Sequence, residues 1–272
     1  MAALAGTPVF SRQKEQADAA RVDPVIENAR RAAAAFTVSL PKYLVKRTTT
    51  RYESVRPTCP ALARISDPDE CGIQAIESWR QVDVITADVV TDKGREVDLN
   101  IRVNGSPATK KDLDASGSWS EGDFAGTLQP ILSPASAAEF TRKHAGIIVN
   151  RPAFRYDYAI AQSHSSWHLY AGDSSYSPGY SGQIWFDRDT SRVLHVDMAA
   201  QKLPDSFPMN KIEWSVDYDF VRIFSQTHLL PRRSETKHCD RSSSICSRNT
   251  TDFQGYKEYS ADSNITFDSA PK

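Results

Sequence analysis

Apolar residues recur along this chain in two periods. In GQIWFDRDTSRVLHVDM, from Gly182 to Met198, Ile184, Phe186, Leu194, Val196 and Met198 all fall on even positions. That alternation predicts two strands about a polar turn, with one apolar face. KIEWSVDYDF repeats the pattern, with Ile212, Trp214, Val216, Tyr218 and Phe220 facing one way. VDVITADVVTDKGREVDLNIRV predicts a hairpin turning at DKGR. Its second strand carries Val97, Leu99, Ile101 and Val103 on one face and Glu96, Asp98, Asn100 and Arg102 on the other. YLVKRTTTRYES, AFRYDYAIAQ, SWHLYAG, THLLPRRSETKH and DFQGYKEYSADSNITF read as further strands.

The second period is helical. In DPVIENARRAAAAF, Val25, Ala29, Ala32, Ala33 and Phe36 form one stripe, Asp23 stands at the N-cap and Pro24 at the first helical position. Pro41 ends the segment. SPASAAEFTRKH predicts a second, shorter helix, with Ser133 as N-cap and Pro134 after it. DASGSWSEGDFAGTL reads as a loop that inserts Trp119 and Phe124, and residues 57–78 as a proline-rich excursion. About nine strands joined by short turns imply an antiparallel meander, with helices covering its apolar face. The predicted fold class is α+β: a large curved antiparallel sheet, a half-barrel, wrapped around two or three short helices. No repeat or linker divides it. The expected organisation is a disordered terminus or signal-peptide remnant at 1–22, one half-barrel domain at 23–268 and a frayed tail at 269–272.

Composition narrows the class. The 272 residues are 40% hydrophobic and 25% charged, with a net charge of −1 and both signs interspersed. No basic stripe for nucleic acid emerges. No run approaches the roughly 18 apolar residues of a transmembrane helix. The opening AALAGTPVFS is a small-and-apolar run that suits either the tail of a signal peptide or a frayed terminus. Cys59 and Cys71 form one close pair and Cys239 and Cys246 another, the second closing CDRSSSIC. Neither spacing suits zinc. Two local disulfides, Cys59–Cys71 and Cys239–Cys246, imply an oxidising compartment and hence export; the alternative is four reduced, buried thiols.

Catalytic motifs are absent or incomplete. GYSG lacks the last spacing of a nucleophile elbow, and no phosphate loop occurs. SETK, from Ser234 to Lys237, falls in a predicted strand rather than at a helix start. His164 and His168 are predicted on one strand face without further metal ligands. Asp187 with Asp189, and Asp217 with Asp219, read as turn and solvent-face residues. Asn104, Asn249 and Asn264 begin glycosylation sequons. No cofactor or metal is expected.

The stretches GSWSEGDFAGTL, SPASAAEF, YSGQIWFDRDTSRVLHVDM, VDYDFVRIFSQTHLLP and NITFD together resemble the LolA/LolB-like superfamily of periplasmic lipoprotein carriers and receptors, over about residues 75–268. The resemblance implies an open half-barrel around helices, whose cavity accepts acyl chains. It leads to the expectation of an exported, non-enzymatic binding protein for a lipid, a lipoprotein acyl chain or another apolar group. Ile184, Phe186, Leu194, Val196, Met198, Ile212, Trp214 and Val216 are the expected cavity lining. Two other classes stay open: a periplasmic or envelope interaction or sensor module, and a hydrolase with a scattered site.

Overall fold

The computed structural model describes residues 23–39, 42–55, 78–92, 95–115, 128–223, 225–243 and 245–258. Asp23 starts the first helix, α1 (Pro24–Ser39). Its carboxylate accepts from the Val25 amide at 2.9 Å and its carbonyl from the Glu27 amide at 3.1 Å. The residues α1 buries are Ile26, Ala29 and Ala33, with Val25 and Ala32 half-buried. The predicted stripe omitted Ile26, which is buried with Ala29 and Ala33.

Strands follow at β1 (Tyr43–Val55), β2 (Ser78–Asp92), β3 (Arg95–Val103) and β4 (Ser106–Pro107). Two short helices come next, α2 (Lys110–Ala115) and α3 (Leu128–Leu132). The remaining strands are β5 (Glu139–Ile148), β6 (Arg151–Ile160), β7 (Leu169–Ala171), β8 (Ser174–Tyr176), β9 (Gly179–Asp187), β10 (Val193–Gln201), β11 (Met209–Ile223), β12 (Gln226–Asp240) and β13 (Cys246–Glu258). Eleven of them form one antiparallel sheet in the order β4-β3-β2-β1-β13-β12-β11-β10-β9-β6-β5, and β7 pairs with β8 apart from it. The architecture is an α+β open half-barrel.

Register runs straight across eight strands. Ile85, Thr49, Thr251, Ser234, Val216, Val196, Ile184 and Tyr156 are successive cross-strand partners and share the inner face. At the β6–β11 end this face is apolar and packs with Ile26, Ala29 and Ala33 of α1 and Ile131 and Leu132 of α3. Toward β1 and β2 it turns polar. There Arg51 donates to Asp83 at 2.7 Å, and Arg47 lies 3.0 Å from Asp98, all four residues well covered. Gly182 is required where β9 nears β10, because a Cβ there would meet the Asp197 carbonyl oxygen at 2.0 Å.

Three sequence expectations need correction. The alternating run in β3 does not share a face. Val97 and Leu99 pair with Val90 and Asp88 on the outer face, whereas Val103 pairs with inward Ile85. A register shift lies between, where Asn100 takes φ +53° and donates to Asp88 at 2.9 Å. An extra residue in one strand reverses the side-chain parity beyond it. The predicted helix at SPASAAEFTRKH is a single 3-10 turn, Pro134–Ser136, followed by β5. Ser133 does cap that turn, but Ala137, left-handed at φ +46°, ends it. Finally, His164 and His168 share no strand: His164 closes a 3-10 turn and His168 lies ahead of β7. Trp119, Phe124 and the Cys59–Cys71 pairing lie outside the described residues.

Cys239 and Cys246 are bonded, as expected, directly across the β12–β13 pair with Cα atoms 3.9 Å apart. Replacing both by serine is expected to lower stability by about 2 kcal/mol, the loop-closure term for so short a ring. A urea midpoint unchanged between oxidised and reduced protein would contradict this.

Candidate ligand cleft at the sheet rim

Ala29, Ala32, Ala33 and Ala35 of α1 line a cleft whose opposite wall comes from β10 and β12. The resulting cleft is about 180 Å³. Leu128 and Leu132 of α3 close one side, and Val193 and Leu229 form the floor. Alanine is the reason for the space, since its methyl group cannot reach what a leucine at the same position would fill. The mouth is polar: Arg192 from the β9–β10 turn, and Gln226, Thr227 and His228 from the start of β12.

The turn that presents Arg192 is built by Asp187. Its buried carboxylate accepts from the Asp189 amide at 3.2 Å, the Thr190 amide at 2.9 Å and the Thr190 hydroxyl at 2.8 Å. Arg151 completes its shell with an ion pair at 2.5 Å. Burial opposes ionisation, but these bonds outweigh it and hold the Asp187 pKa below the usual carboxylate value. The turn role expected from DRDTS is present; the arginine partner lies 36 residues away and left no sequence signal.

Of the eight residues expected to line a cavity, Ile184, Phe186, Leu194, Val196, Trp214 and Val216 are buried and Met198 and Ile212 half-buried. Six of them join the core cluster beneath α1, and Met198 packs against it. They share the inner face with the cleft, whose floor begins at Val193, next to Leu194.

Two larger depressions are less enclosed. One of about 490 Å³ is a saddle at the ends of β5, β6 and β9, bordered by Glu139, His164 and Gln201. Another, of about 240 Å³, is a polar furrow along β10, β11 and β12 beside Asp197, Glu213 and Glu235. The outer face at the head of that furrow holds a group the sequence did not flag. His195 Nδ1 lies 2.6 Å from Asp217, and its Nε2 3.5 Å from Asp197. Burial alone would lower its pKa, but hydrogen bonds to Asp197 and Asp217, with their charges, raise it to about 9. Asp217 is thus half of an ion pair with β10 rather than a plain solvent-face residue.

The catalytic fragments do not assemble. Ser234 faces inward, whereas Lys237 faces outward with its ammonium 5.2 Å above the Trp79 ring, so SETK spans two faces of the sheet. Ser181 is in β9 and accepts from Gln201 at 3.0 Å. Among the described residues no three His, Cys, Asp or Glu side chains converge as metal ligands. Asn249 is buried in the sheet, so its sequon is closed to a glycan in the folded chain.

No family model and no curated protein matches the chain. Among solved structures, a domain described as an outer membrane lipoprotein-sorting protein from Vibrio parahaemolyticus aligns with a TM-score of 0.39 and 8% identity, over 87% of this chain and 92% of that one. The MucA/MucB complex of Pseudomonas aeruginosa aligns with a TM-score of 0.24 and 10% identity, over 86% and 99%. At such values neither match bears on function. The cleft has to be read from its own residues.

Proposed function

We propose that this protein is an exported, non-enzymatic binding protein that takes a small apolar ligand between α1 and the inner face of the half-barrel. The observation that carries the reading is the alanine wall of α1, which leaves the cleft unfilled where a purely structural helix would place larger side chains. The Cys239–Cys246 bond supports an oxidising compartment, and the resemblance to lipoprotein carriers points the same way. The cleft is smaller than the roughly 300–1,000 Å³ of a drug-sized site, which suits one short chain. A longer chain would extend over Leu194, Val196 and Phe186 by lifting α1 from the sheet, with Ile184, Met198, Ile212, Trp214 and Val216 behind them.

Native mass spectrometry of protein purified from cells should find co-purified lipid, and a fluorescent fatty acid should bind and be displaceable. Ala33→Phe should lower that affinity at least about tenfold by filling the cleft. A clean apo mass together with no fatty-acid binding sinks the reading. The second reading, a module that grips a protein partner, is favoured by the outward apolar residues Val82, Val97 and Leu99, which are 43%, 46% and 41% exposed.

A further inference from the structure

The cleft joins an apolar interior to a mouth where Arg192 has no countercharge among the described lining residues. Arg192 is half-buried, and its backbone is fixed by the Asp187 turn: the Asp187 amide donates to its carbonyl at 2.7 Å. Its guanidinium, by contrast, makes no hydrogen bond or ion pair with the described residues. The buried turn carboxylate, Asp187, is already taken by Arg151 and the turn's own donors. His228, half-buried on β12 and also lining the cleft, has no side-chain hydrogen bond among the described residues. No aspartate or glutamate is among the described residues that line the cleft. Covering a guanidinium without pairing it is costly, so such a site favours an anion.

We infer that the ligand is a single-chain amphiphile with an anionic head, a carboxylate or phosphate, held at the mouth by Arg192 and His228 while its chain lies along the alanine face of α1. This rests on the reading of the cleft as an apolar-ligand site. The charge arrangement sets the head and the volume sets the single chain. The fields at the mouth agree: burial, and then the positive charge of Arg192, push the His228 pKa down, a repulsion that an anion between the two groups would relieve. A cationic or zwitterionic head would find no carboxylate among the described lining residues.

The test is a calorimetric titration of the full chain with octanoate, octyl phosphate, octanol, octyltrimethylammonium and acetate. Octanoate or octyl phosphate should bind about tenfold more tightly than octanol, the gain from one charge-assisted hydrogen bond at a half-exposed site. Arg192→Gln should bring the anionic probes down to about the level of octanol measured on the same variant, with an unchanged circular dichroism spectrum and thermal midpoint as the control that the variant is folded. Equal binding of octanol and both anionic probes to the wild type, or tightest binding of the ammonium probe, overturns the head assignment and leaves the cleft reading standing. Acetate binding as tightly as octanoate means a bare anion site and overturns both. If no alkyl probe binds, the cleft reading itself fails and the head assignment falls with it.

Discussion

Replacing Asp23 by alanine is expected to destabilise the fold by about 2–4 kcal/mol, because one carboxylate serves two elements. One oxygen caps α1 through the Val25 amide at 2.9 Å, and the other accepts from the Tyr156 hydroxyl at 2.7 Å. Loss of an N-cap costs about 1 kcal/mol. Leaving a covered tyrosine hydroxyl without its acceptor adds about 1–3 kcal/mol. Tyr156 belongs to the core cluster, and burial first, then the Asp23 hydrogen bond, raise its phenol pKa, so the neutral hydroxyl is the donor. Tyr156→Phe should cost less, since it removes the donor and leaves the cap. Asp23→Asn should keep the cap through its remaining oxygen, but its amide nitrogen cannot accept from the Tyr156 hydroxyl and can only donate to it, so its cost should fall between those of Tyr156→Phe and Asp23→Ala. Urea midpoints of the three variants and the double mutant give the coupling. A cost below about 1 kcal/mol for Asp23→Ala would mean that α1 is not anchored to β6 through this residue.

Stability should also fall in alkali through His195. Its folded pKa, about 9, lies above the roughly 6.5 of an unfolded histidine, so folding favours the imidazolium. The contribution is complete below about pH 6.5, declines as pH rises toward 9 and is gone above that. A shift of this size corresponds to about 3 kcal/mol. The groups facing the ring are Asp217 and Asp197, with Arg232 of β12 lying 3.9 Å from Asp217. His228 and His238 are shifted the opposite way, largely by burial, and act below this window. Wild type and His195→Gln should therefore differ most at pH 6 and converge by pH 9.5. Parallel profiles across that range would contradict the bridge.

The regular strands were legible because their alternation survives in one dimension. In β9, β10 and β11 the even residues Ile184, Phe186, Val196, Trp214 and Val216 face inward, as their spacing predicts. The spacing breaks in β3, where one left-handed residue, Asn100, reverses the parity of all that follows. SPASAAEFTRKH misleads for a related reason. Serine and proline start a turn equally well for one residue or ten, and β5 then draws its residues into pairing with β6. The cleft was not legible because it depends on what alanines leave out, and on Arg192 of a turn and His228 of a strand lining one space though 36 residues apart in sequence. The His195–Asp217 bridge has the same origin: register brings the two together, and neither residue's neighbours in the chain mention the other.

The place of β1 has a consequence for how the chain acquires its shape. Its partners in the middle of the sheet are β2, close by in sequence, and β13, near the far end; Thr49 and Thr251 share a hydrogen bond across 202 residues. On the ribosome the β1–β2–β3 meander can form early, and the later strands can pair among themselves as they emerge. The two halves cannot be joined until Cys246–Glu258 has been made. Until then one side of β1 offers a row of unpaired amides and carbonyls, the surface on which strands of other molecules add. Closing contacts of such sequence separation is slow. Chains stalled or cut before β13 should thus be the species that aggregate, and a chaperone that shields a strand edge would act on this half of the molecule.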